Sequence, residues 1–315
     1  MTTYCLSPFT IRILDPGGNY LPVHDFLGGN DLCSVLLDFL TGLKKDMYQN
    51  SREEFVLRLQ SLEVKGRFLS GLMERGEYGI TSKFFNTSLH NFTYTRDKAD
   101  AELLPYFFLL GVPKPTRRLG GREPLDAIAI FQTTDGEGVQ DDFEESFTLY
   151  FDDRFPPLHL DIRRLIPRQF SEQLLRKGRV TQLRFVKYGV RKNLEDAAQL
   201  GPVESEGVLE FRVKAKRGKA FDLTDRLEEV LSGRRSTRDL LEVKGFHYDD
   251  VKIQLESEGR YHTLNLGRLN STRAPYEYDI TSKLESPGHN PDYEKIHRLA
   301  RQFCQNLADD MELSF

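Results

Sequence analysis

Apolar positions recur at two spacings along the chain, and each change of spacing marks a change of element. Leu209, Phe211, Val213 and Ala215 alternate with Glu210, Arg212, Lys214 and Lys216, which predicts a strand with one buried and one charged face. Val251, Ile253 and Leu255 alternate in the same way with Lys252, Gln254 and Glu256. The turn Ser257-Glu258-Gly259-Arg260 then folds the chain back along Tyr261 to Leu266 as a hairpin. A shorter strand covers Phe9 to Leu14 and closes at Asp15-Pro16-Gly17-Gly18.

Helical spacing links Leu32, Val35, Leu36, Phe39, Leu40 and Leu43, behind an N-cap at Asn30 or Asp31. It links Leu223, Leu227, Val230 and Leu231 behind Asp222, with Gly233 at the far end. Ile296, Leu299, Ala300, Phe303 and Leu307 form a third stripe, from a helix beginning at Pro291 or Asp292. In the middle, 106–112 and 125–132 are short apolar runs that predict buried strands, joined by a loop over 113–124 rich in Pro, Gly and Arg. An amphipathic helix over Pro167 to Lys177 and a strand over Val180 to Tyr188 follow, then a linker over Asn193 to Gly207.

Several of these elements occur twice. DLCSVLLDFLTG (31–42) returns as DLTDRLEEVLSG (222–233), and LEVKG at 62–66 returns at 241–245. EYGITSK (77–83) returns as EYDITSK (277–283), and HNFTY (90–94) as HNPDY (289–293), in the same order in both halves. Such collinearity predicts an internal duplication. The expected fold is α+β: two duplicated sheet-plus-helix modules of ferredoxin-like topology, residues 1–95 and 207–315, separated by an unduplicated segment over 96–206. Residues 8–94 and 207–293 should then superpose.

Length suits two domains, and a net charge of −4 with 29% charged residues gives no bulk preference for nucleic acid or membrane. The longest apolar stretch, Leu103 to Val112, is too short to span a bilayer, and the first residues lack the pattern of a secretory signal. Cys5, Cys33 and Cys304 lack metal-ligand spacing and are expected to be reduced thiols in a cytoplasmic protein. The charge is unevenly spread. Eight carboxylates and no Lys or Arg lie between Asp135 and Asp153, whereas ten basic residues and two acids lie between Asp161 and Lys192.

Two sets of residues carry candidate chemistry. The basic tract offers Arg176, Lys177, Arg179, Arg184, Lys187, Arg191 and Lys192 as a nucleic-acid surface, with Phe185 and Tyr188 interleaved as rings for bases. A solvated face, or docking of this tract on the acidic one, accounts for the same pattern. The second copy offers Glu242, Lys244, Asp279, His289 and Asp292, because carboxylates beside a Lys suit Mg²⁺- or Mn²⁺-dependent phosphodiester hydrolysis. Against that, Asp279 follows Glu-x-Lys instead of preceding it, and Glu-x-Lys on a strand is a common surface pair. No phosphate-binding glycine loop or nucleophile elbow is present.

Tyr278-Asp279-Ile280-Thr281 with Gly288-His289-Asn290-Pro291-Asp292-Tyr293, and FLSGLMERGEYG with PYFFLLGVP upstream, resemble uncharacterised proteins of bacterial phage-defence neighbourhoods. The resemblance implies a bacterial cytoplasmic protein working beside partner proteins, and it carries over no catalytic residue. The expected function is a non-catalytic nucleic-acid-binding or sensing subunit of such a system, without a cofactor, with homo-oligomers open. The alternatives are a metal-dependent nuclease using the second repeat, and a structural scaffold that binds partner proteins.

Overall fold

The computed structural model describes residues 2–50, 52, 54–115, 123–190, 207–231, 234, 248–257, 260–266, 276–284 and 291–315. The chain forms two compact units, 1–162 with 277–315, and 163–276.

The first unit runs β1 (Tyr4–Leu14), β2 (Tyr20–Leu21), α1 (Leu32–Lys45), β3 (Tyr48–Asn50), β4 (Phe55–Lys65) and β5 (Phe68–Glu77). It continues with β6 (Ser82–Asn86), β7 (Asn91–Arg96), β8 (Glu102–Gly111), β9 (Ala127–Thr134), β10 (Glu137–Gly138), α2 (Gln140–Arg154) and β11 (His159–Arg164). Its main sheet has the order β11-β1-β9-β8-β5-β4-β3, and β6 and β7 form a separate two-stranded ribbon. The helix stripe read from the sequence is the buried face of α1, and Asp31 is the N-cap, accepting from the Cys33 amide at 3.0 Å. Arg67, in the β4–β5 turn, grips the same carboxylate through both terminal nitrogens at 2.7 Å, so the cap also ties the helix to the sheet.

Helices α1 and α2 share one face of the sheet. Phe39, Phe143, Phe147 and Phe151 pack there with Phe9, Ile11, Phe108 and Phe131. The acidic run 135–153 thus conceals a buried helix: apart from Asp142, which is buried against Arg75, its carboxylates lie on the outer faces, while Phe143, Phe147 and Phe151 repeat every fourth residue inward. Tyr106 to Leu110 is a continuous buried run because both faces of the sheet are covered there.

The second unit runs α3 (Arg168–Lys177), β12 (Arg179–Val190), β13 (Gly207–Lys214), α4 (Thr224–Leu231), β14 (Asp250–Ser257) and β15 (Arg260–Asn265). Its antiparallel sheet has the order β13-β12-β14-β15. One face packs Leu183, Phe185, Val251, Ile253 and Leu255 against Leu174, Leu175 and Leu227 of the two helices. The expected 251–266 hairpin is present in register, Ile253 opposite Leu264. Helix α4 begins at Thr224, two residues after the expected cap Asp222.

The chain then returns to the first unit as β16 (Tyr278–Asp279), a 3₁₀ turn over Thr281–Lys283 and α5 (Tyr293–Asp310). Asp292 caps α5 by accepting from the Lys295 amide at 3.0 Å, and α5 lays its apolar stripe on β8 and β9. No helix among the described residues is long and apolar enough to cross a membrane.

The fold is α+β with mostly antiparallel sheets. The two compact units cut across the segments 1–95, 96–206 and 207–315. Residues 277–315 join the first unit because Tyr278 and Asp279 pair with Leu6 and Cys5 of β1. The copies at 31–42 and 222–233 both contain a helix, but those at 77–83 and 277–283 do not match. Ser82 and Lys83 are strand, whereas their counterparts Ser282 and Lys283 lie in the 3₁₀ turn. Gly79 has a φ of +88°, which L side chains rarely adopt, and an added Cβ would strike the Glu54 carboxylate; its counterpart Asp279 is extended strand. The superposition expected of 8–94 on 207–293 therefore does not hold through this element.

The packing separates the two faces of α2. Phe147→Ala should cost about 3–5 kcal/mol in a urea unfolding experiment. Leu149→Ala, on the exposed side, should stay within about 0.5 kcal/mol of the parent.

Candidate nucleic-acid interface

The two helices of the second unit pack on one face of its sheet, and strand alternation gives the other face mostly polar side chains, with Gln182 and Val186 buried among them. In the register of β12 with its two neighbours, Arg184 lies opposite both Arg212 of β13 and Lys252 of β14. Directly opposed residues of antiparallel strands share a face, with Cβ atoms about 4.5–5.5 Å apart. Three cations from three strands therefore form one row. One row along, Gln182 lies between Lys214 and Gln254; on the other side, Val186 lies between Glu210 and Asp250.

The local chemistry is rich in donors. Arg184 is half-buried, and its Nε has no hydrogen-bond partner among the described residues. Gln182 is 4% exposed, and its Nε2 likewise lacks a partner among them. Glu210 is the acid closest in character to a counterion: it pairs with Arg212 at 2.9 Å. The hydrogen bond from Arg212 holds the Glu210 carboxyl below its ordinary range, with the charges of Arg212, Lys252 and Arg184 acting in the same direction. Like charges opposed on a sheet destabilise it. A row of three cations bordered by Glu210 and Asp250 keeps a net positive charge that a bound polyanion would offset.

The basic tract does not act as one surface. Arg176 lies 3.8 Å from Glu228, and Arg179 lies 3.7 Å from Glu256 while donating to the Gly218 carbonyl at 3.0 Å. Lys177 is exposed beside Arg176 at the end of α3. Lys187 is three residues from Arg184 along an alternating strand, which places it on the opposite face. The same alternation buries Phe185 in the core at 1% exposure, so its ring is not available to a base. Arg191 and Lys192 lie outside the described residues. Of the tract, Arg184 is the residue that joins the cationic row. Its neighbours Arg212 and Lys252 come from remote strands, and a one-dimensional charge count does not join them to it. The acidic tract makes contacts within its own unit: Asp142 meets Arg75 at 2.6 Å, and Glu145 accepts from Asn50 at 2.8 Å. Burial raises the Asp142 carboxyl above its usual range, and Arg75 opposes that.

In the alternative nuclease set, Glu242, Lys244 and His289 lie outside the described residues. Asp279 is exposed, and its Oδ1 accepts from the Thr281 amide at 2.8 Å; hydrogen bonding with Thr281 holds its carboxyl below the usual range. Asp292 is spent on the α5 cap. In the first copy, Glu63 and Lys65 form an exposed ion pair at 2.6 Å. Among the described residues no three His, Cys, Asp or Glu side chains converge in a way that could hold a metal.

Of the polar residues repeated in the first copy, Tyr78 and Tyr94 come together. Tyr78, Gly79, Thr93 and Tyr94 line a groove of about 1040 Å³ beside the β6–β7 ribbon. Compared with known proteins, the chain matches no family model and no curated protein.

Two outcomes test these assignments. Lys252→Gln should leave the unit as stable or raise its stability by up to about 1 kcal/mol at low salt, a gain that shrinks as salt is added, because it removes one of three opposed cations. Asp292→Ala should cost about 1 kcal/mol of thermal or urea stability through the lost cap, independent of any added metal.

Proposed function

We propose that the protein is a non-catalytic nucleic-acid-binding subunit of a bacterial multiprotein system, holding a phosphodiester backbone along the cationic row of the second unit's sheet. The observation that carries this is the row Arg212–Arg184–Lys252, three cations opposed across three strands. Phosphate oxygens are strong acceptors for guanidinium and ammonium groups. A protein partner with an acidic surface would meet the same charge. The repeating negative charge of a nucleic acid matches a row of cations at strand spacing more closely. The resemblance to proteins of phage-defence neighbourhoods supports an antiphage setting with partner proteins.

The first unit supports a finer reading of the fold. The succession β1–α1–β8–β9–α2–β11, in the spatial order β11-β1-β9-β8, matches a single ferredoxin-like module with β3 to β7 inserted after α1. Such a module hosts many functions, so the fold lends no weight to nucleic acid by itself.

Fluorescence anisotropy with labelled single-stranded and duplex oligonucleotides over a salt series tests the proposal. Binding should weaken steeply as salt rises. Replacing Arg184 and Lys252 together by Glu should weaken it further and flatten the salt slope by about 1 for each cation lost. Lys187→Glu, on the other face, should change neither. Equal affinity for the Arg184/Lys252 variant and the parent at low salt would refute this surface, provided circular dichroism shows both folded.

A further inference from the structure

The ribbon of β6 and β7 carries an unusual load of exposed rings. Phe84 is 40%, Phe85 48%, Phe92 69% and Tyr94 52% exposed. The register pairs Phe84 with Tyr94 and Phe85 with Phe92, with an irregularity between Phe84 and Phe85. Thr93 has no partner in this register, so the bulge lies on β7 between Phe92 and Tyr94, while β6 keeps its regular alternation. Cross-strand partners share a face, so Phe85 and Phe92 lie on one face of the ribbon and Phe84 and Tyr94 on the other. Ring contacts agree: Phe84 and Tyr94 have centroids 5.9 Å apart, Phe85 and Phe92 5.3 Å. Phe85 and Phe92 form one open aromatic face that also carries Lys83, and Phe84 and Tyr94 line the groove on the other face.

This face has no cost-free explanation as bare surface. A two-stranded ribbon is marginal in water by itself, and an apolar side left uncovered makes it more so. The base of the ribbon is nonetheless clamped. Arg96 donates to the Asp100 carbonyl at 3.0 Å and to the Glu77 carbonyl, the Gly79 amide donates to the Lys98 carbonyl at 2.7 Å, and the Tyr94 hydroxyl is held by Asp100. The rings are presented in a fixed arrangement, not as a loose flap.

Charge identifies the occupant. From Tyr78 to Arg96 the sequence contains no Asp or Glu, but it does contain Lys83, His90 and Arg96. The Lys83 ammonium lies 5.6 Å from the centre of the Phe92 ring, and His90 borders Phe85 at 6.5 Å. The exposed Phe85 and Phe92 rings, with Lys83 and His90 beside them, suit a ligand that is flat, apolar on its faces and negatively charged along its backbone. An apolar protein surface would use the rings and leave the cations idle.

We propose that the aromatic face of the β6–β7 ribbon is a stacking platform for unpaired nucleobases, so that the protein prefers single strands to duplex. The proposal rests on the nucleic-acid reading above but uses a different unit and different residues. Phe85 and Phe92 stack on bases while Lys83 faces the phosphates, and a duplex keeps its bases out of reach.

Anisotropy with the full chain separates the two readings. The probes are an oligothymidylate of about 20 nucleotides, longer than one site of this kind, an abasic oligomer with the same phosphate count, and a duplex. The parent should bind thymidylate more tightly than either of the others. Phe85→Ala with Phe92→Ala should weaken thymidylate binding about five- to a hundred-fold, leave the abasic affinity and the salt slope unchanged, and so erase the preference. Phe92→Tyr keeps a ring and should keep the preference. If the double alanine variant retains it, the platform is refuted while the cationic face stands. If the platform variant loses the preference but the Arg184/Lys252 variant binds like the parent, the cationic face falls and the platform stands. A parent that binds none of the three probes overturns both.

Discussion

Strand β1 is the element on which the rest of the first unit is registered. It is buried almost throughout, with β9 along one edge and β11 and β16 along the other. Burial on both faces leaves its backbone no access to water, so every polar group must find a strand partner. That requirement explains why a two-residue strand from near the end of the chain, Tyr278–Asp279, is drawn back to Cys5 and Leu6. It also explains how the second unit is accommodated. Residues 163–276 lie between β11 and β16, and both of these border the same edge of β1. An excursion whose two ends attach to one strand leaves the host sheet intact, as a tolerated domain insertion must.

The parts of this fold that were legible in the sequence are those where one local rule decides. The stripes of α1 and α5, the caps Asp31 and Asp292, and the 251–266 hairpin need no remote information. Helix α2 was hidden because its four-residue Phe spacing is embedded in a run of carboxylates, and the charge drew attention from Phe143, Phe147 and Phe151. The β6–β7 ribbon was hidden for the opposite reason. Its rings read as an apolar strand, and exposure of a ring is a tertiary fact that no spacing declares. Its one readable mark is the absence of acids between Tyr78 and Arg96.

The duplicated letters show how far composition of a short element can travel from its conformation. EYGITSK and EYDITSK differ at one residue. Yet Gly79 turns with positive φ where Asp279 extends along β1, and Ser82 and Lys83 start a strand where Ser282 and Lys283 wind into a 3₁₀ turn. Tertiary partners decide between them: Glu54, Lys98 and the ribbon in one case, β1 in the other. The cationic row follows the same logic. Residues 184, 212 and 252 become neighbours through strand order alone, whereas Arg184 and Lys187, near neighbours in sequence, are parted by the pleat.

The two proposed surfaces answer to different physics, which is why a single chain would use both. A row of cations gains affinity from counterion release, and that gain falls with salt and does not depend on what the phosphates carry. A ring gains affinity by covering the face of a base, a contact that salt barely screens and that a paired base cannot make. As proposed, the first would hold any nucleic acid, and the second would distinguish an open strand from a closed one. Placed on separate units, the two contributions can be altered one at a time. Neither Arg184 nor Phe92 contributes to the buried core that keeps its own unit folded, so evolution can retune strength and strand preference without cost to the fold.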